Sequence, residues 1–268
     1  MAETAQFTIQ VTVHAKAVDL LQAESGLAKS RIKDAMQKGA VWHQRGQRKV
    51  RLRRGSAQVE AGDRLTLYYN EQLLQAQAAS PELLADHHEY SIWFKPPGLM
   101  SSGSRFADHH AISRQVQLQL DRPTFVVHRL DRYTRGLMVL AHRKTTAAHL
   151  AQQFRQRKTH KVYQAVVTGQ LQEAISVELA LDNKAALSHI SPIKHLSGQT
   201  WVEVQIDTGR KHQIRRHLAH IGHPVVGDVL YGDAQSGDLQ LAAVNLGFEC
   251  PVLRKSVSFD LPRQHRLF

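Results

Sequence analysis

The chain has 268 residues, 42% hydrophobic and 22% charged, enough to bury a core without cross-links and too mixed for a fibrous or disordered class. Lys and Arg outnumber Asp and Glu by 35 to 23, a formal charge of +12, which points to a polyanionic partner, nucleic acid foremost. One cysteine, Cys250, excludes an intrachain disulfide and a multi-cysteine metal site, and suits the cytosol. No run is apolar enough for a membrane-crossing helix, and the N-terminus lacks the basic start and apolar block of a secretory signal.

From the N-terminus, "QFTIQVTV" alternates polar and apolar residues as a strand does. Val18, Leu20, Leu21 and Leu27 allow a short helix. Ser30 caps a second, with Ile32, Ala35 and Met36 on its inner face and Gly39 at its end. "AVWHQRG", "KVRLRRG" and "AGDRLTLYY" read as short strands broken by Gly46, Gly55 and Gly62. Lys29, Arg31 and Lys33 surround the second helix, and seven Lys or Arg residues fall between Arg45 and Arg64. Residues 1–75 thus form a small basic module, and the Ala, Gln, Ser and Pro81 that follow read as a linker over 76–89.

From Tyr90 the pattern changes. "YSIWFK", "TFVVH", "GLMVLAH", "HKVYQAVV", "TWVEVQID", "LQLAAVNLGFE" and "SVSFDL" read as strands. "TTAAHLAQQFRQR" puts Ala147, Leu150, Ala151 and Phe154 on one helix face, and "KHQIRRHLAHIGH" does so for Ile214, Leu218 and Ile221. Strands and helices do not alternate regularly, which disfavours a doubly wound parallel sheet. The expected class is α+β: a mixed, mainly antiparallel sheet with covering helices over 90–268, behind the small α/β module.

Four stretches of this second region carry candidate chemistry. In "HRLDRYTRGLMVLA" the polar residues stand on a loop between two strands, with Gly136 at the turn. A carboxylate there stays ionised beside a guanidinium, and Arg129 and Arg132 are local candidates. The structural alternative is an Asp that ties the loop through backbone hydrogen bonds. "GRKHQIRRHLAHIGHPVVGDVLYG" brings Arg210, Arg215 and Arg216 to one helix start, either for chemistry or for phosphate contact. "KTHKVYQAVVTG" places Lys161 and Tyr163 on one face of a strand, Tyr163 as a sheet aromatic or as a platform for an unstacked base. "IWFKPPGLMSSG" holds Lys95 against a rigid Pro-Pro turn before a flexible Ser-Gly loop.

In this order, the four stretches resemble the RluA-type pseudouridine synthases over about Tyr90 to Leu261. "KSRIKDAMQKGAVW" and "VEAGDRLTLYY" resemble the S-four-type (alpha-L) RNA-binding module over Phe7 to Tyr69, with a longer and more basic tip, "HQRGQRKVRLRRG". The resemblance implies an isomerase acting on RNA without a cofactor. Asp131 is then the catalytic aspartate, as nucleophile or as base, and Arg129 helps extrude the target uridine. Tyr163 stacks on the base and aids proton removal. Arg215 holds Asp131 ionised, with Arg210 as the alternative. Lys161, Lys95, Lys29, Arg31 and Lys33 are expected on the substrate. Departures from the usual blocks, Arg135, Lys211 and Arg216, all add positive charge.

The implied substrate is large-subunit ribosomal RNA, with transfer RNA as the alternative, and the implied protein is a cytoplasmic monomer without metal or membrane partner. His217, His220 and His223 fall at spacings of three, short of a recognised metal-ligand pattern, so His212 and His217 are expected as hydrogen-bonded residues behind the arginines. Cys250 is expected as a buried small hydrophobe. A non-catalytic RNA-binding protein on the same scaffold is the reading from another class, and the filled Asp, Tyr and Arg positions argue against it.

Overall fold

The computed structural model describes residues 4–77, 79–232 and 237–268. They form two compact units. The first takes in residues 4–77 and, from further along the chain, Ser102–Gln115; the second takes in the remainder.

The first unit contains β1 (Thr4–Gln10), β2 (Ala15–Lys16), α1 (Ala17–Ser25), α2 (Lys29–Gln37), β3 (Val41–Arg45), β4 (Arg48–Arg51), β5 (Gln58–Val59), β6 (Arg64–Asn70) and α3 (Glu71–Gln75). An antiparallel sheet in the order β1-β6-β3-β4 turns Leu65 and Leu67 of β6 into a core with Val18 and Leu21 of α1 and Ile32, Ala35 and Met36 of α2. The helical spacing read from the sequence is therefore the spacing that is buried. Ala107 belongs to the same core, although residues 79–101 of the second unit separate 102–115 from the earlier stretch. Asp108 pairs with Arg51 at 3.2 Å and with Arg53, and its amide donates to Lys38 O at 3.0 Å. Of the seven basic residues between Arg45 and Arg64, Arg45 is likewise taken, by the buried Asp63 at 2.6 Å. Three of the expected phosphate contacts are thus spent on internal carboxylates.

In the second unit lie β7 (Glu82–Asp86), β8 (Tyr90–Lys95), the end of α4 (Ile112–Leu120), β9 (Phe125–Val126), β10 (Arg135–Ala141), α5 (Lys144–Arg155), β11 (His160–Thr168), β12 (Ile175–Glu178), β13 (Leu187–Leu196), β14 (Gln199–Ile206), α6 (Gln213–His220), β15 (Leu241–Glu249) and β16 (Ser256–Asp260). The sheet runs β12-β13-β14-β11-β15-β10-β8-β7, with β16 on β15 and β9 on β10. Every pairing is antiparallel except the short β10–β15 contact, as the α+β expectation required. The linker expected over 76–89 holds β7, whose Leu83–Ala85 core adds an edge strand to β8. Leu150, Ala147 and Phe154 of α5 cover one face, packing with Val139 and Phe248. Cys250 is buried there, its Sγ 3.4 Å from the Tyr90 hydroxyl.

Candidate active site

β9 and β10 pair as a hairpin, and the loop between them, residues 127–134, carries Arg129 and Asp131. The backbone on both sides of Asp131 is fastened to the turn that follows β8. Ser101 Oγ donates to Leu130 O at 2.7 Å and accepts from Leu130 N at 3.0 Å. Arg132 O accepts from Gly98 N at 2.9 Å and from Lys95 Nζ at 3.0 Å. Lys95 Nζ also donates to Leu99 O at 2.8 Å and Pro96 O at 3.1 Å. Lys95, expected on the substrate, is instead 0% exposed, with its ammonium directed at three carbonyls. It clamps the loop and does not reach out to a phosphate. Burial pushes it down to about 7, against the pull of the Asp131 charge.

Gly136 opens β10 at φ +124, where a Cβ would come within 2.3 Å of Ala243 O. Only glycine allows the two backbones so close. Ala243 also pairs with Tyr163 across the sheet, so Gly136, Ala243 and Tyr163 form one row. The β11–β15 register slips between Val162 and Tyr163, a bulge of the kind that re-aims side chains beside active sites. Lys161 and Tyr163 both face the site side, as their spacing predicted.

The third contributor is the start of α6. His212, immediately before it, holds a left-handed φ of +54, a strained conformation for a non-glycine residue. Its Nε2 lies 3.8 Å from Asp131 Oδ1, and Arg215 Nη1 lies 3.9 Å from Asp131 Oδ2. Arg215 makes shorter contacts elsewhere: Nε to Asp228 Oδ2 at 2.7 Å and Nη2 to Asp228 Oδ1 at 2.5 Å. Burial pushes the Asp228 carboxyl up, but the Arg215 hydrogen bonds and charge, together with the Leu230 and Tyr231 amides, hold it below its usual range.

These elements enclose a cleft of about 280 Å³ lined by Arg129, Asp131, Thr134, Tyr163, Arg210 and Arg215. The Asp131 side chain is 20% exposed, reachable but shielded. Tyr163 is buried; burial, then the Asp131 charge, raise its phenol above the ordinary value and keep it protonated. His212 is pushed down by burial, against Asp131. Thr134 is 2% exposed and its Oγ1 has no partner among the described residues. A charged carboxylate, a buried aromatic and a fixed guanidinium around a small cleft suit acid-base or nucleophilic work on a flat ring.

The structure therefore gathers Asp131, Tyr163, Arg215, Arg129 and Arg210 at one cleft, with Lys161 in the adjoining cavity. Between the two candidate partners, Arg215 faces Asp131, while Arg210 Nε donates to Ala185 O at 3.1 Å. Arg216 turns to Asp182. Lys29, Arg31 and Lys33 lie on α2 of the first unit, Lys29 paired with Asp19 and Arg31 with Glu71. His217 is hydrogen-bonded to Leu179 O as expected, but His212 stands in the cleft and not behind it. Asp228, Thr134 and Ser101 carry no role in the sequence reading. Asp228 closes the "GHPVVGD" run, and an acidic residue ending so basic a stretch was its only signal. Among the described residues no group of three or more His, Cys, Asp or Glu is placed to hold a metal ion, and no helix is long and apolar enough to cross a membrane.

A sequence profile of the family described as RNA pseudouridylate synthase matches residues 89–220. The chain is 38% identical over 183 residues to "Dual-specificity RNA pseudouridine synthase RluA" of Vibrio parahaemolyticus, covering 59% of this chain and 73% of that protein. It is 35% identical over 150 residues to "Ribosomal large subunit pseudouridine synthase D" of Xylella fastidiosa, covering 49% and 45%. The solved structure of "Human RNA Pseudouridylate Synthase Domain Containing 1" shares the fold at a TM-score of 0.60 and 21% identity, over 70% of this chain and 85% of that one. The aspartate loop, the aromatic strand and the arginine helix thus sit within a matched scaffold, and the chain belongs to the RluA-type family of RNA pseudouridine synthases, which are isomerases.

Proposed function

We propose that this protein isomerises specific uridines in large-subunit ribosomal RNA, with Asp131 as the reacting carboxylate. The observation that carries the reading is the placement of Asp131 beside the Tyr163 ring, with Arg215 at 3.9 Å and Arg129 on the same cleft. The reaction breaks the N1–C1′ bond and forms C5–C1′; C5 loses a proton and N1 gains one, so nothing is added and no redox step occurs. A stacked base must first leave the helix, at a cost of a few kcal/mol, and Arg129 is exposed at the cleft mouth to take its place. Attack on the sugar and removal of the neighbouring sugar proton both require the charged form of Asp131. Tyr163 supplies the face against which the base lies. Its use as a proton acceptor waits on the loss of the Asp131 charge, because that charge helps keep the phenol protonated.

The first unit is read as an S-four-type RNA grip, supported by the buried pattern of α1 and α2 and by the basic residues Arg48, Lys49, Arg54 and Arg64 on and beyond its β3–β4 hairpin. The name of the Xylella relative supports ribosomal RNA, and "tRNA pseudouridine synthase C" of Yersinia pestis, 34% identical over 149 residues, keeps transfer RNA as the alternative. A cytosolic setting fits the single cysteine.

The test is pseudouridine mapping in total RNA from cells with and without the gene, and with Asp131→Asn in its place. Loss of one or a few ribosomal pseudouridines in both the deletion and the variant is expected. Unchanged pseudouridine with Asp131→Asn would overturn the assignment, and loss confined to transfer RNA would move the substrate.

A further inference from the structure

Next to the catalytic cleft lies a second cavity of about 390 Å³, bounded by the end of α5, the start of β11 and the 206–210 turn. It shares Arg129, Tyr163 and Arg210 with the cleft. Its other charged lining residues are Arg155, Arg157 and Lys161, and among the described residues no carboxylate lines it. Like charges gathered around one cavity repel, and an anion relieves that repulsion.

Lys161 gives the cavity its chemistry. The residue is 8% exposed, and its one hydrogen bond among the described residues is a long 3.5 Å contact to Thr208 O. A buried ammonium with three donors and one weak acceptor is under-satisfied, whereas Lys95 nearby has three good acceptors. The opposing charge it feels comes from Asp207, outside the lining, whose carboxylate faces His189 at 3.8 Å. Arg157 is held at the cavity by a left-handed φ of +60 where the chain turns from α5 toward β11. His128 completes the wall as a neutral ring: burial, and then Lys161, push it down to about 3. Its Nε2 accepts from Val139 N at 3.0 Å, so its proton sits on Nδ1 and it adds no charge of its own.

Resting on the active-site reading above, we propose that this cavity seats a phosphodiester directly flanking the flipped uridine, with Lys161 as its buried ligand and Arg155 and Arg157 as outer ones. Base and phosphate then occupy adjoining rooms, with Tyr163 and Arg129 as the shared wall. A phosphate held this way fixes the sugar relative to Asp131, since Arg129, from the loop that carries Asp131, lines the same cavity.

The experiment uses the full chain and a synthetic RNA stem-loop carrying the mapped uridine, with a neutral methylphosphonate replacing each flanking phosphodiester in turn. Affinities are measured in the Asp131→Asn background, so that no turnover intervenes. One of the two replacements is expected to weaken binding about tenfold, and Lys161→Met to do the same. Together they should cost no more than either alone. Additive losses at both positions, or an unchanged Kd for Lys161→Met, overturn the seat. If Lys161→Met fails to fold, the exposed pair Arg155→Gln and Arg157→Gln is tested against the same RNAs, with the same non-additivity expected. Persistent activity of Asp131→Asn reports a different failure, that of the active-site reading itself.

Discussion

Arg215 gives its two short contacts to Asp228 and stands at 3.9 Å from Asp131. The guanidinium is therefore not a simple counter-ion to the Asp131 carboxylate. Asp228, 0% exposed, holds its fork, and one nitrogen is left to face the cleft. Asp228 also accepts from the amides of Leu230 and Tyr231. Asp228→Asn should destabilise the fold by about 3–5 kcal/mol, because it leaves a buried guanidinium unpaired. Urea unfolding checks the stability. Pseudouridine formation in the surviving folded fraction should also fall, and full activity there would show that Arg215 needs no anchor.

Ser101 satisfies both the N–H and the C=O of Leu130 with one hydroxyl. Ser101→Ala strands two buried backbone groups beside Asp131, at about 1–3 kcal/mol. Single-turnover kinetics should show a slower chemical step with nearly unchanged RNA affinity, since the residue touches the loop and not the cleft. A change in affinity alone would contradict the clasp.

Thr134 presents at the cleft wall a buried hydroxyl with no partner among the described residues. Thr134→Val removes nothing that the free protein uses, so its stability should stay within about 1 kcal/mol of the wild type or rise. A loss of about tenfold in kcat/KM is expected, because the hydroxyl meets its first partner in the substrate. Identical kinetics would leave Thr134 as a packing residue.

Burial pushes Lys161 down to about 8, helped by Arg157 and opposed by Asp207. Its unfolded value is about 10.4. Between the two, the unfolded chain holds more proton than the folded one, so this group makes stability rise with pH from about 8 upward. RNA affinity should run the other way, full below about 8 and falling above it as the ammonium is lost. Anisotropy titrations and unfolding curves over the same pH range should diverge in wild type, and both slopes should flatten in Lys161→Met.

Much of the second unit could be read from its apolar runs and from helical spacing. β8, β10, β11, β14 and β15 are apolar enough to announce themselves, and α5 and α6 follow helical spacing. β13 leaves no clear strand pattern, because "LSHISPIKHL" is polar on its exposed side and interrupted by Pro192, where the pairing with β14 slips. β7 hid in a composition typical of linkers, since an edge strand needs apolar residues on one face only. The aspartate loop, the aromatic strand and the arginine helix carried local signals. The Arg215–Asp228 lock did not, because partner choice depends on which carboxylate the fold brings within reach. Lys95 misled for the same reason: a lysine beside a Pro-Pro turn looks available until the turn closes over it.

Ser102–Gln115 belongs to the first unit, although the chain enters it from Ser101 and leaves it along α4. The covalent path thus crosses between units three times. Removing residues 1–75 alone strips Asp108 and Ala107 of the neighbours that cover them, so such a truncation tests an injured protein and not an isolated catalytic half. Gene recombination meets the same obstacle: a crossover at one point cannot transplant the first unit into another protein, because two separate stretches of coding sequence have to travel together.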